Sequence, residues 1–153
     1  MCLVLKKGIE MAGIYQSIQG NIGLGKAIEY FTSHGITVAL PLNDTQKYDL
    51  IADFNGKLQR VSVKTSRNSR TDGKTWEVLL KNCGGTGRGQ VRLFDNKAVD
   101  YLFIYTAAND IYLIPTNQIE ATSGIVVGNK YSEYKVQCKT LKDYDEEIRL
   151  KEE

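Results

Sequence analysis

The sequence predicts an α/β domain in which a mixed β-sheet is flanked by helices, and three observations predict it. Tyr48 to Thr65 reads as two short strands joined at Asn55-Gly56, because a two-residue type I′ turn needs positive φ at both central positions. Between Ile22 and Phe31, the residues Leu24, Ala27, Ile28 and Phe31 fall at i, i+3, i+4 and i+7, the stripe of one helical face. Tyr101 to Thr106 and Ile111 to Ile114, separated by Ala107-Ala108-Asn109-Asp110, read as an antiparallel pair that ends at Pro115.

In chain order, Cys2 to Gly20 carries Ile9, Met11 and Ile14 without a pattern that assigns it. The helix from Ile22 ends at Gly35, and His34 just before it is a cation at a helix C-terminus, ordinary capping chemistry. Ile36 to Leu40 reads as a strand running into Pro41, followed by the polar loop Asn43 to Lys47. Counting back from the Asn55-Gly56 turn puts Asp49 opposite Ser62, with Lys64 one diagonal step further. Alternation then gives Leu50, Ala52, Val61 and Val63 to the core and gathers Asp49, Ser62 and Lys64, an acid and a base within reach of one substrate atom.

After Lys64 the chain is polar to Lys74, then Thr75 to Leu80 reads as a strand in which Trp76 packs rather than stacks on a base. Lys81 to Gln90 holds four glycines, which permit close backbone approach to a ligand. No Gly-Lys-Ser/Thr follows, so this is not a P-loop. Thr116 is expected to cap a short helical turn through Ile119. Gly124 to Glu153, with Val126, Val127, Val136 and a charged tail, is expected to close the sheet or to contact another subunit.

At 153 residues, 42% hydrophobic and 25% charged, the chain reads as one domain, 1–153, large enough for a core without staples. No run is long and apolar enough to cross a bilayer and Met1 to Leu5 is too short for a secretory segment, so a soluble, cytoplasmic protein with no membrane partner is expected. Three widely spaced cysteines, Cys2, Cys83 and Cys138, exclude a disulfide framework and a paired-cysteine zinc site. A single histidine leaves little room for Ser-His-Asp or multi-histidine zinc chemistry, which favours carboxylate and lysine chemistry. From Lys57 to Arg92 nine basic residues face two acidic ones, so the middle of the chain suits a polyanion. Basic and amide side chains beside a strand pair suit groove and backbone contact with a duplex: Thr65, Ser66, Arg67, Arg70, Lys74, Lys81, Arg88 and Gln90 are the candidates, on loops at about 65–92.

The order helix, strand, Asp-bearing strand, Lys-bearing strand resembles the PD-(D/E)xK nuclease core. Gly20-Asn21-Ile22-Gly23, Leu40-Pro41, Tyr48-Asp49-Leu50-Ile51, Val61-Ser62-Val63-Lys64-Thr65, Val99-Asp100-Tyr101 and Ile111-Tyr112-Leu113-Ile114-Pro115 are similar to segments of the group I intron-associated homing endonucleases of that superfamily, found in cyanobacteria and other bacteria. The resemblance covers about residues 18–120 and leaves 121–153 to complete the fold or an oligomer interface. It implies a restriction-endonuclease-like fold, double-stranded DNA as substrate, a bacterial protein acting at the nucleoid, and a homodimer or homotetramer.

It also implies that Asp49 binds a divalent metal, that the backbone carbonyl of Val63 adds a ligand, and that Lys64 acts beside the attacking water or scissile phosphate. Mg²⁺ is the implied metal, with Ca²⁺ or Mn²⁺ able to substitute for binding or turnover. Two positions depart from the family pattern. Leu24 stands where the helix often carries a glutamate, and Ser62 where the motif has Asp, Glu or Gln. Glu29 points largely away from Leu24's side of the helix, and Glu10 is the other acid within sequence reach. An endonuclease impaired at these two positions is therefore the expectation. A catalytically inactive DNA-binding protein on the same fold, a junction-resolvase-like nuclease, and an RNA-binding or protein-interaction module are the alternatives.

Overall fold

The computed structural model describes residues 8–43, 45–83 and 91–152. Its elements run α1 (Gly8–Ser33), β1 (Thr37–Ala39), β2 (Leu50–Phe54), β3 (Lys57–Ser66), β4 (Asn68–Ser69), β5 (Trp76–Leu79), β6 (Asn82–Cys83) and β7 (Val91–Arg92). They continue β8 (Tyr101–Thr106), β9 (Ile111–Pro115), a 3₁₀ turn (Thr116–Gln118), β10 (Gly124–Val127), a second 3₁₀ turn (Ser132–Tyr134), β11 (Lys135–Val136) and α2 (Leu141–Glu152).

The main sheet has six strands in the order β1-β2-β3-β8-β9-β11. β3 and β8 pair in parallel, Val61 to Tyr101 through Ser66 to Thr106, while the other pairs are antiparallel. The sheet is thus mixed, as expected. A second sheet, β10-β5-β4, lies in the long connection from β3 to β8 and is completed by β10. The C-terminal segment closes both sheets, through β10 on β5 and β11 on β9.

The β2–β3 hairpin turns at Asn55 (φ 54°) and Gly56 (φ 90°), the positive pair that a type I′ turn demands. Its register, Leu50 to Val61 and Phe54 to Lys57, is the one the turn residues dictate. Gly35 ends α1 at φ 70°, with Gly35 N–H on the Thr32 carbonyl at 3.0 Å and Ile36 N–H on the Phe31 carbonyl at 2.9 Å, a Schellman motif. His34 Nδ1 lies 2.8 Å from the Tyr30 carbonyl, a local partner at the helix end.

Two apolar layers sandwich the main sheet. On one face α1 contributes Ala27, Tyr30 and Phe31 against Leu50, Ala52, Val61, Phe103 and Ile111. On the other, Leu102, Ile104, Tyr112 and Ile114 meet Trp76, Val78, Leu80, Ile125, Val127 and Tyr131. β8 is covered on both sides, and Leu102, Phe103 and Ile104 are fully buried, as a near-continuous apolar run beside a parallel partner requires.

Two elements differ from the sequence reading. α1 begins at Gly8 rather than near Ile22. At about 100° per residue, Ile18 lies opposite Ala27, so the apolar residues of the two halves point to opposite sides and no single stripe marks the whole helix. Thr116 does not cap the 3₁₀ turn, where Pro115 is the N-cap without a side-chain bond. Its hydroxyl instead donates to the Val99 carbonyl at 2.5 Å, tying the turn to the entry of β8. None of the described helices is long and apolar enough to cross a membrane.

Candidate functional site

The site is built where β3 outruns β2. Strand β2 begins at Leu50 opposite Val61, yet β3 continues to Ser66, so from Ser62 onward one edge of β3 has no ladder partner. Asp49 N–H closes the ladder on the Val61 carbonyl at 2.8 Å. Its carboxylate then turns onto the bare edge, where Oδ2 accepts the Val63 N–H at 2.6 Å and the Ser62 hydroxyl at 3.3 Å.

N–H and carbonyl of one strand residue point the same way, so the Val63 carbonyl faces the same edge as Asp49. Among the described residues no hydrogen bond ends on it outside the strand ladders, and on that edge β2 places no residue opposite it. Asp49 is exposed, and no described hydrogen bond engages its Oδ1. A carboxylate oxygen and a free carbonyl oxygen on one strand edge are hard donors that suit a cation retaining most of its waters. Among the described residues no three acidic, histidine or cysteine side chains gather to hold a metal.

Lys64 projects from the face that carries Ser62, two residues on in the same strand. Its ammonium donates to Asn82 Oδ1 at 2.7 Å, a neutral acceptor that holds it without cancelling its charge. Burial pushes the Lys64 ammonium below the ordinary lysine value, while the negative charge of Asp49 pulls it back up. Ser62 and Lys64 line a cleft of about 200 Å³ with Asn82, Arg92, Lys47 and Asp95. Lys47 is paired to Asp95 at 2.8 Å, and that ion pair together with the Lys97 N–H holds the Asp95 carboxyl below the usual carboxylate range.

Leu24 is not in that cleft. It packs on the α1 side of the sheet, against the apolar cluster of Leu50, Val61 and Phe103. Asp49 therefore sits at the strand edge between two sides, with Lys64 on one and the helix position of Leu24 on the other. Next to Leu24, Gly23 lets α1 approach β3 closely: a Cβ there would stand 2.0 Å from Thr65 Oγ1. Glu29 is tied to Lys26 at 2.6 Å on the exposed side of α1.

A groove of about 770 Å³ continues from Asn82 along Gln16, Gln19, Arg67, Asn68 and Lys81. Thr65 and Ser66 line it but turn their hydroxyls inward. The Thr65 hydroxyl is buried without a partner, and that of Ser66 donates to the Glu77 carbonyl at 2.5 Å. Arg67 and Lys81 offer their side chains to the groove, whereas Arg70 is held on Glu77 at 2.9 Å and Lys74 lies with it on the exposed β4–β5 connection. Arg88 and Gln90 lie outside the described residues.

Sequence reasoning missed three partners. Asn82 fixes Lys64, Gln19 donates to the Thr65 carbonyl at 2.9 Å, and Lys47 meets Asp95 across 48 residues. None of these contacts follows from periodicity or from a turn.

Comparison with known proteins adds two findings. The family described as PD-(D/E)XK endonuclease matches residues 15–127. Among solved structures the chain is similar to a bacterial homing endonuclease, I-Ssp6803I, at 25% identity and a TM-score of 0.60, over 78% of this chain and 85% of that one. No curated protein matches.

Proposed function

Because the chain belongs to the PD-(D/E)XK endonuclease family, we propose that it binds a specific double-stranded DNA sequence and hydrolyses a phosphodiester there with a divalent metal, Mg²⁺, as the homing endonuclease reading implies. The single observation that carries this reading is the strand edge on which the Asp49 carboxylate and the Val63 carbonyl meet one side of Lys64.

Asp49 and the Val63 carbonyl are the residues that would hold the metal. When bound, such an ion polarises a phosphoryl oxygen and lowers the pKa of bound water. Lys64, anchored by Asn82, presents a fixed positive charge to the negative charge that develops on the phosphoryl oxygens. Arg67 and Lys81 neutralise backbone phosphates along the groove, Arg70 and Lys74 extend the basic surface, and Arg88 and Gln90 are further DNA contacts in this reading. Thr65 and Ser66 serve through their backbone, since their hydroxyls are engaged or enclosed. A protein of this size reads a long site as a homodimer or homotetramer, each copy presenting one surface.

Leu24 and Ser62 reduce turnover in this reading, because among the described residues they leave Asp49 as the one acidic side chain placed at the metal. A second reading, a DNA-binding protein that does not cut, is favoured by one observation: Leu24 is built into the apolar layer under α1. One experiment separates them. The chain and a Leu24→Glu, Ser62→Gln variant are incubated with a plasmid library in Mg²⁺, and binding is followed in Ca²⁺. Cutting by both supports the first reading and cutting by the variant alone the second. Absence of duplex binding by either sinks both.

A further inference from the structure

The groove that leads away from Lys64 carries a row of carboxamides. Asn82, whose Oδ1 holds the Lys64 ammonium, lines both the cleft of Lys64 and the larger groove beside it. A molecule lying in the groove is therefore continuous with the chemistry at Lys64. Further along, Gln16 and Gln19 line the groove from α1 and Asn68 lines it from β4. Gln19 is spent on the Thr65 carbonyl. Gln16, one turn before it on the same face of the helix, and Asn68 are exposed, and among the described residues neither side chain has a hydrogen-bond partner. Glu77, the acid in the groove, is paired to Arg70 at 2.9 Å, so Arg67 and Lys81 set its charge.

We propose that Gln16 and Asn68 determine which sequence the protein selects, each taking the edge of an adenine in the major groove of the duplex beside the phosphate at Lys64. The inference rests on the double-stranded DNA reading above and names the side chains that read the bases. A carboxamide presents a donor and an acceptor side by side. That pair matches the N6 donor and N7 acceptor of adenine, whereas guanine offers two acceptors at the same edge. Phosphates carry no sequence information and are met by charge, the part that Arg67 and Lys81 play in the same groove. Neither Gln16 nor Asn68 gives up an internal hydrogen bond to reach a base. The two walls are also held in register, because Gln19 ties α1 to Thr65 and Gly23 lets the helix close on β3. Readers carried on such fixed elements keep their geometry better than readers on loops.

The test is selection from a randomised duplex library by the full chain in Ca²⁺. Wild type is compared with Gln16→Ala, Asn68→Ala, Gln16→Arg and Arg67→Ala, each checked by circular dichroism. The wild-type chain is expected to prefer adenine about tenfold at two or more positions. Gln16→Ala should lose the preference at one of them and Asn68→Ala at another, each keeping the rest. Gln16→Arg should exchange adenine for guanine at the position that Gln16→Ala relaxes, since a guanidinium pairs with guanine O6 and N7. Arg67→Ala should weaken binding to every sequence alike and lower its salt dependence.

Should an alanine variant fail to fold, Gln16→Glu and Asn68→Asp keep the shape, remove the donor and should lose the adenine preference in the same way. Folded variants at Gln16 and Asn68 that select the wild-type sequence, or that lose affinity for all sequences equally, overturn the proposal and leave the DNA function standing. A wild-type chain that binds duplexes without base preference overturns it as well. Absence of duplex binding would sink the proposal together with the DNA function.

Discussion

At the scale of single residues, the site separates groups that hold shape from groups poised for chemistry. Lys64 is an ammonium kept partly out of water, so its removal should cost the fold little and the reaction much. Lys64→Met is expected to leave the thermal midpoint unchanged or raised, because burying a charge is unfavourable, and to abolish the cleavage that the best-cutting version performs. A midpoint lower by several degrees would mean that Lys64 is structural. Asp100 has the opposite character. Hydrogen bonds from the Arg60 side chain hold its carboxyl below the usual carboxylate range, with guanidinium contacts of 3.0 Å to both oxygens.

A depressed folded-state pKa adds stability that is complete above the unfolded value of about 3.9 and vanishes as pH falls through the folded value. Asp100→Asn is expected to lose about 1 kcal/mol at neutral pH, discounted for partial exposure. The gap to wild type should close as pH falls through the lowered folded-state value of Asp100; a gap independent of pH would refute the assignment. The pairing of Asp49 with Ser62 was legible because one turn fixes every position of a hairpin. Asn82 was not, since a contact between strands joined by an irregular connection leaves no periodic trace.

At the scale of elements, α1 shows why half of a helix escaped the pattern. Its C-terminal half has one buried stripe, and the periodicity of Leu24, Ala27, Ile28 and Phe31 recovers it. Its earlier turns, through Ile22, point Ile14, Ile18 and Ile22 away from the sheet, so the two stripes cancel when the segment is taken whole. The glycines of α1 divide in the same way. A methyl at Gly23 gains about 1 kcal/mol of helix propensity but meets the enclosed Thr65 hydroxyl, and overpacking costs about 1–3 kcal/mol. Gly23→Ala should therefore destabilise in urea, whereas Gly20→Ala, which meets nothing within 4 Å, should stabilise by about 0.5–1 kcal/mol. Equal effects at the two positions would contradict the close approach of α1 to β3.

At the scale of the whole molecule, the parallel pairing of β3 with β8 forces a long connection, and the second sheet is what that connection folds into. The mixed sheet was foreseeable from the order of the elements. That Gly124–Val127 would return to pair with Trp76–Leu79 was not, because strand pairing over such a distance depends on packing rather than on local sequence. α2 is the least integrated part. It has no buried residue, begins with a reciprocal cap between Thr140 and Asp143, and touches α1 through the Tyr144 hydroxyl on the Ser33 carbonyl. Ending the chain after Thr140 should leave the fold cooperative, with a stability loss of about 1 kcal/mol for the lost hydrogen bond. Collapse of the unfolding transition on truncation would show that α2 belongs to the core.

The unpaired edge of β3 has a consequence for misassembly. A bare strand edge is a template on which another chain can add, and here two side chains plug it, Asp49 on the Val63 N–H and Gln19 on the Thr65 carbonyl. Asp49→Ala would remove a plug along with a ligand, leaving the chain prone to aggregate through that edge. Inactivity of such a variant would then be ambiguous between lost chemistry and sticky ends, and Lys64→Met, which leaves both plugs in place, is the cleaner inactive control.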